Sequence, residues 1–192
     1  MHNHTHALHI EVPDWLFSMA DTFVATPNVD EWMQFVVNTS AKNVALKTGG
    51  PFAAGVFDLS SGELIALGAN LVVEQGLSIL HAEMVAISLA QRRLGTYDLG
   101  AEGRNLALVS SSEPCAMCYG AVPWSGVRQL ICGATDADVR SIGFDEGPKL
   151  SNWDEELHKR GITVTTGVQR EAATAVLKEY QRVGHIYNSR ED

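Results

Sequence analysis

The chain has 192 residues, of which 45% are hydrophobic and 19% charged, a composition typical of one well-filled globular domain. No stretch approaches the roughly 20 uninterrupted apolar residues of a membrane-spanning helix, and the N-terminus lacks the basic start of a secretory signal. The formal net charge is −9, which disfavours a nucleic-acid partner because phosphate binding requires a basic surface.

The sequence predicts a loosely organised N-terminal extension over residues 1–30, followed by a single domain over residues 31–192. The extension opens with alternating histidines. They indicate an exposed or partly engineered terminus rather than a dedicated metal site. These histidines are His2, His4, His6 and His9.

From Asp30 onward, the spacing of apolar residues alternates between the helical period and the strand period. Asp30 is the predicted cap of the first helix, and Pro123 is expected to end or kink a later one. The predicted elements are a helix over 30–48, strands over 52–58 and 63–73, a helix over 81–94, a strand over 105–110, a helix over 113–124, a strand over 129–134, a helix over 154–159, a strand over 162–168 and a helix over 170–183. Between them, residues 135–152 are predicted to be an acidic loop. A hairpin followed by strand–helix alternation indicates an α/β fold with a mixed sheet and helices on both faces.

The three cysteines are Cys115, Cys118 and Cys132. An odd, low number without a secretory signal argues against a disulfide scaffold. We therefore expect a cytoplasmic protein, in which the close pair Cys115 and Cys118 serves metal or redox chemistry.

Two short segments carry the predicted chemistry, His81-Ala82-Glu83 and Pro114-Cys115-Ala116-Met117-Cys118. Cys115 and Cys118 are three residues apart at a helix start, so both sulfurs lie on one face and can bind one metal ion. His81, at the start of another predicted helix, supplies a third ligand. Two thiolates, one imidazole and a fourth position open to water are typical of catalytic zinc, whereas structural zinc takes four protein ligands. The sequence thus predicts a catalytic Zn²⁺ site.

Glu83 is the candidate proton carrier beside this site. A carboxylate next to zinc-bound water can take its proton and return it to a ring nitrogen or a leaving amine. A redox cysteine pair and a satisfied core histidine are the competing interpretations, and neither accounts for Glu83. The joint pattern, His-x-Glu followed by Pro-Cys-x-x-Cys, is typical of zinc-dependent base deaminases.

At these motifs the chain resembles the cytidine deaminase-like superfamily and, within it, the bacterial guanine deaminases. The resemblance extends over about residues 35–187. Three strings are of a type shared across base deaminases, GGPFAAGVF (49–57), HAEMVAI (81–87) and SSSEPCAMCYGAVPWSGV (110–127). A more specific string is IGFDEGP (142–148), in which an acidic pair follows Gly-Phe as it does in guanine deaminases.

The resemblance implies a three-layer α/β/α sandwich around a five-stranded mixed sheet. It implies that Glu83 and Glu146 are catalytic, with Glu146 transferring a proton or holding the base. It also implies that Asn70 hydrogen-bonds the substrate ring. Further residues expected around the substrate are Phe52, Ala82, Trp124 and Tyr187. For the two aromatic residues Phe52 and Trp124, core packing is an equal alternative.

The C-terminal segment His185-Ile186-Tyr187 lies where members of this family close the active site, in some cases across a subunit interface. Tyr187 is the candidate lid residue, although the chain continues to Asp192. The resemblance implies a homodimer, with exchange of C-terminal segments as an open alternative.

The predicted reaction is the hydrolytic deamination of a small free base, guanine to xanthine and ammonia. Cytosine, an aminotriazine such as ammeline, and a nucleoside are alternatives, since each presents a ring C–NH₂ group to the metal. The acidic charge disfavours a tRNA adenosine deaminase. The presence of Glu83 disfavours a non-catalytic zinc module.

Overall fold

The computed structural model describes residues 8–188, with one five-stranded mixed sheet at its centre. The strands are β1 (Ala53–Asp58), β2 (Leu64–Ala69), β3 (Leu106–Ser112), β4 (Gln129–Ala134) and β5 (Thr163–Thr165). Their order across the sheet is β2-β1-β3-β4-β5. β1 pairs antiparallel with β2 and β3, whereas β4 pairs parallel with β3 and β5. The predicted five-stranded mixed sheet is confirmed.

Helices cover both faces of this sheet. They are α1 (Asp14–Ala20), α2 (Val29–Leu46), α3 (Val72–Gln75), α4 (Ala82–Leu94), α5 (Ala116–Ser125), α6 (Asp136–Ser141), α7 (Trp153–His158) and α8 (Arg170–Val183). Within residues 8–188, none of them has both the length and the apolar character needed to cross a bilayer.

Strand β3 contributes side chains to two apolar clusters, one on each face of the sheet. Its alternate residues Ala107 and Val109 join the apolar cluster under α2 and α8, and Leu106 and Leu108 join the cluster under α4 and α5. All seven residues of β3 are buried, as expected for a central strand with helices on both faces. The predicted three-layer arrangement is therefore confirmed.

Helix α1 lies within the segment for which the sequence predicted a loose extension. Leu16 is 1% exposed and packs against Leu67 and Ala69 of β2. Seven residues are too few to show a helical period, so the pattern of apolar residues did not reveal this helix. The domain boundary at residue 31 stays a prediction. His9 is exposed, and the other three N-terminal histidines, His2, His4 and His6, lie outside the described residues.

Several element boundaries differ from the prediction. Helix α2 is capped by Asn28 rather than Asp30, because the Asn28 side chain accepts a hydrogen bond from the Asp30 backbone N–H at 3.0 Å. Helix α5 continues for two residues beyond Pro123. Helix α6 occupies part of the predicted acidic loop, and the last strand is only three residues long.

Candidate active site

Two helix N-termini converge on the metal-binding side chains. His81 is the N-cap of α4 and Cys115 the N-cap of α5, and both have extended backbone angles, φ −65° with ψ 155° and φ −65° with ψ 172°. Cys118 lies in the first turn of α5. Helix α5 starts later than predicted because β3 runs on to Ser112 and Cys115 is still extended. The positive end of the helix dipole favours a thiolate at this helix start. The hydrogen bond with Cys115, and then burial, raise the pKa of Cys118, which must therefore lose its proton on binding zinc.

The three side chains fit a zinc ion. The ligand atoms of His81, Cys115 and Cys118 all lie within 4.8 Å of one another, and His81 Nδ1 is 3.4 Å from Cys115 Sγ. Tetrahedral zinc with ordinary bond lengths places a nitrogen and a sulfur ligand about 3.6 Å apart. Within the described part of the chain, no fourth His, Cys, Asp or Glu joins this group. Three protein ligands are the number typical of catalytic zinc.

The groups around Cys115 lower its pKa and so favour the thiolate that binds metal. Its pKa is lowered to about 4, chiefly by the hydrogen bond with Cys118 and further by His81, while burial opposes both effects. The side chain is therefore a thiolate at neutral pH, the form that binds zinc.

Two buried carboxyl groups flank the metal set. Glu83 is 5% and Glu146 6% exposed. Burial raises the pKa of both, and the negative charge of Cys115 raises them further, that of Glu146 to about 8. A carboxyl group with a raised pKa can hold and release a proton near neutral pH, as general acid–base catalysis requires.

Glu146 comes from a loop that is distant in sequence from the other site residues. The Ala116 backbone N–H donates a hydrogen bond to the Glu146 carbonyl oxygen at 2.9 Å, which ties this loop to the first residue of α5. Spacing in the sequence gave no indication of this contact. Only the resemblance of the string IGFDEGP pointed to Glu146.

A cavity of about 20 Å³ lies beside the metal set, with room for about one water molecule. Besides metal ligands and the two carboxyl groups, its walls include Phe52, Asn70, Phe144, Tyr187 and Asn188. The structure therefore brings Phe52, Asn70 and Tyr187 together with the metal set. The sequence analysis assigned no role to Phe144 or Asn188.

Asn70 presents a free donor to this cavity. Its side-chain oxygen accepts hydrogen bonds from the backbone N–H groups of Gly50 at 3.4 Å and Val72 at 3.3 Å. Its side-chain nitrogen is buried beside the Tyr187 hydroxyl and has no hydrogen-bond partner of good geometry within residues 8–188. A buried donor without a partner is costly, so a substrate acceptor is a natural occupant of this position.

Aromatic rings form one wall of the cavity. The ring centroid of Phe144 is 5.0 Å from that of Phe52 and 5.2 Å from that of Tyr187, and both pairs meet edge to face. Tyr187 also presses against the turn before β1, since a Cβ atom on Gly50 would lie 2.9 Å from its ring and hydroxyl. The C-terminal segment of the chain thus closes the cavity of the same chain.

Two predicted substrate contacts lie elsewhere. The prediction that Trp124 walls the pocket is wrong for this chain, because Trp124 is 85% exposed at the far end of α5. Ala82 is 1% exposed and its side chain packs in the apolar cluster between α4 and the sheet. This close packing depends on Gly68, where a Cβ atom would lie 2.4 Å from the Ala82 carbonyl oxygen. The Ala82 side chain therefore serves the core and not the cavity wall.

Residues 27–134 match the family model for the cytidine and deoxycytidylate deaminase zinc-binding region. The chain belongs to this family of zinc-dependent deaminases.

Its named relatives include guanine deaminases and tRNA-specific adenosine deaminases. The structure of the guanine deaminase from Nitrosomonas europaea superposes with a TM-score of 0.89 at 48% identity, covering 94% of this chain and 99% of that one. The guanine deaminase of Bacillus subtilis strain 168 is 31% identical, covering 70% of this chain and 83% of that protein. The tRNA-specific adenosine deaminase of the same strain is 35% identical, covering 69% and 78%.

Proposed function

We propose that this protein is a guanine deaminase, which hydrolyses guanine to xanthine and ammonia. One observation carries the proposal: two members of the zinc set, His81 and Cys115, line one cavity together with two buried carboxyl groups, Glu83 and Glu146. The similarity to the Nitrosomonas europaea guanine deaminase over nearly the whole of both chains supports guanine as the substrate.

The reaction replaces the amino group on C2 of guanine by the oxygen of water. Zinc, when bound, supplies a Lewis acid that lowers the pKa of a water molecule toward neutrality. Glu83 would take one proton from the attacking water and place it on ring N3 of guanine, while the water oxygen forms a bond to C2. Glu83 or Glu146 would then move the second proton of that oxygen to the amine as the C2–N bond breaks, so that one water is consumed and one ammonia released.

The remaining side chains hold the base. The unpartnered amide nitrogen of Asn70 donates a hydrogen bond to an acceptor on the purine ring. Phe52, Phe144 and Tyr187 provide apolar surface for the ring. Because the closed cavity admits only about one water, the base enters when the segment carrying Tyr187 moves aside. Tyr187 is thus the proposed lid.

We also propose a homodimer that forms through α5. Met117, Gly120, Ala121 and Trp124 recur at helical spacing on one side of this helix. Met117 and Trp124 are 37% and 85% exposed. Large apolar side chains exposed on one helix face are typical of an interface. Exchange of C-terminal segments is not required, because Tyr187 reaches the cavity of its own chain.

The free thiols of the three buried cysteines support a cytoplasmic location.

A tRNA adenosine deaminase is the second candidate function, since one relative with this name is 35% identical. The net charge of −9 and the closed cavity both favour a small free base instead.

A panel of substrates tests the proposal. Zinc-loaded protein is assayed for ammonia release with guanine, guanosine, cytosine, ammeline and an adenosine-34 tRNA substrate. We expect ammonia and xanthine in equal amounts from guanine, at a kcat/KM well above that for any other substrate. Inert guanine with rapid release from another member would reassign the substrate, and zinc binding without any ammonia would indicate a non-catalytic module.

A further inference from the structure

Lys149 is a buried cation close to the metal site. Its side chain is only 6% exposed, although lysine is almost never buried without partners. It follows Glu146 by three residues, at the end of the loop that brings Glu146 into the cavity. The Lys149 backbone N–H donates to the Gly147 carbonyl oxygen at 3.0 Å, which closes this loop into a turn.

The ammonium group of Lys149 has four neighbours. It donates a hydrogen bond to the Pro114 carbonyl oxygen at 3.0 Å. Asp136 Oδ1 lies 3.1 Å away, an ion pair rather than a hydrogen bond in its geometry, and Glu113 Oε2 lies 3.7 Å away. The ammonium also stands 4.9 Å from the ring centroid of Trp153.

Through these contacts, one loop forms hydrogen bonds to the peptide groups on both sides of Cys115. The peptide group before Cys115 is held through the Pro114 carbonyl oxygen by Lys149. The peptide group after it is held through the Ala116 N–H by the Glu146 carbonyl oxygen, at 2.9 Å. A shift of this loop would therefore move a metal ligand and Glu146 together.

We propose that Lys149 is a positioning residue, which fixes the backbone of the zinc ligand Cys115 and the loop that carries Glu146. The part concerning Glu146 rests on the proposed function, and the part concerning Cys115 rests on the zinc set alone.

The charge of Lys149 has a second consequence for the site. Two cysteine ligands and two carboxyl groups surround the metal position, and zinc binding requires both cysteines as thiolates. A buried cation beside them opposes this build-up of negative charge, although it is also paired with Asp136 and Glu113. Burial, Cys115, Glu83 and Asp136 raise the pKa of Glu146, whereas Lys149 lowers it. Groups that orient metal ligands from outside the coordination sphere typically contribute 10- to 100-fold in metal affinity or activity.

The test compares zinc affinity in four proteins by competition with a chromophoric chelator: wild type, Lys149→Met, Asp136→Asn and Lys42→Met. Lys149→Met keeps the aliphatic stem and removes the ammonium. Asp136→Asn removes the carboxylate charge that Lys149 shares with Arg140, whose Nε lies 2.6 Å from Asp136, and keeps the bond from Lys149 to Pro114. Lys42 is the matched control, since its ammonium also lies over an indole ring, that of Trp15, at 5.5 Å.

We expect zinc affinity to fall about 10- to 100-fold in Lys149→Met only. With guanine, we expect Lys149→Met to lower kcat, because Glu146 shifts, and to leave KM within a few-fold, because Asn70 and the aromatic wall are untouched. Since zinc affinity is measured without substrate, failure of the guanine assay in every protein would overturn the proposed function and leave this test intact.

Two results would overturn the role of Lys149. One is zinc affinity and kcat in Lys149→Met within about twofold of wild type. The other is an equal loss of zinc affinity in Asp136→Asn, which would assign the effect to the ion pair instead. If Lys149→Met fails to fold, the double variant Lys149→Met/Asp136→Asn removes both charges and is judged by the same zinc criterion.

Discussion

At the scale of single residues, the two polar atoms of the Asn70 side chain differ in their hydrogen bonding. Its oxygen accepts hydrogen bonds from backbone N–H groups, and among the described residues its nitrogen has no hydrogen-bond partner. The backbone around it is equally constrained, because a Cβ atom on Gly49 would lie 1.8 Å from the Asn70 carbonyl oxygen. The donor is therefore set in place before substrate arrives, which reduces the entropy lost on binding.

Asn70→Asp tests this donor. The substitution retains an oxygen for Gly50 and Val72 and removes the NH₂ group. We expect kcat/KM for guanine to fall by about 10- to 100-fold, since the substrate acceptor loses its hydrogen bond. Zinc content should remain that of wild type. Asn38→Asp, the same change on the exposed face of α2, is the control. Equal kcat/KM for Asn70→Asp and wild type would remove Asn70 from the site.

The sequence predicted residues of the site where the chemistry depends on local spacing. Cys115 and Cys118 belong to one helical turn, so their shared face follows from the helix itself. Phe144 and Lys149 reach the site through a loop whose path depends on tertiary contacts, for which a single sequence carries no spacing signal. For Trp124, the family resemblance suggested a pocket wall and aromatic character suggested core packing, whereas the structure places this residue on the surface.

At the scale of elements, α6 connects the sheet to α8. Thr135 and Asp138 form a reciprocal capping box at its N-terminus. Arg170, the first residue of α8, donates two hydrogen bonds to Asp138, at 2.7 and 2.9 Å. The Thr-x-x-Asp pattern was visible in the sequence, but the surrounding aspartates and glycines favoured a loop. In this segment the hydrogen bonds of the capping box stabilise a helix, although the amino-acid composition is typical of a loop.

This cap makes stability depend on pH. Arg170 first, and then the bonds to Thr135, hold the pKa of Asp138 well below its usual range. A carboxyl group with a lowered folded-state pKa stabilises the protein above its unfolded pKa of about 4, and this contribution is lost as pH falls toward the folded value. Asp138→Ala should therefore lower the free energy of unfolding by about 1 kcal/mol at neutral pH.

Urea denaturation at neutral pH and at about pH 3 measures this contribution. The difference between Asp138→Ala and wild type should shrink at the lower pH. Glu171→Ala, which removes an exposed carboxylate from the first turn of α8, should show no such trend. A difference that stays constant or grows as pH falls would contradict the assignment.

How well an element was predicted depended on how distinct its residue pattern is. Strand β4 and helix α8 have the predicted bounds. Helix α8 shows a helical period over 14 residues, and β4 is a short, almost continuously buried run that is typical of a strand covered on both faces. Helix α1 shows no such repeat because it is seven residues long. The last strand was predicted too long because regular pairing with β4 covers only Thr163–Thr165. Gly167, with φ 77°, then interrupts the extended backbone, and beyond it Val168 donates a single hydrogen bond to the Cys132 carbonyl oxygen at 3.1 Å.

At the scale of the whole molecule, the exposed face of α5 is the basis of the proposed dimer. Trp124→Glu should weaken this proposed dimer by at least about 30-fold in Kd, since buried tryptophans often contribute 2 kcal/mol or more to an interface. Sedimentation equilibrium measures the change. Val24→Glu is the control, because Val24 is 81% exposed and lies before α2, away from α5 in the chain. A wild-type monomer, or an unchanged dimer in Trp124→Glu, would refute this interface.

The fold and the family together locate one site, in which zinc and a proton-carrying carboxylate act on a small base. Its central claim concerns Glu83. The most direct test is the rate of xanthine formation from guanine by wild type and Glu83→Gln at equal zinc content, with the exposed Glu74→Gln as control. We predict that Glu83→Gln reduces the rate by about 10²- to 10⁴-fold and that Glu74→Gln does not. Full turnover by zinc-loaded Glu83→Gln would contradict the account.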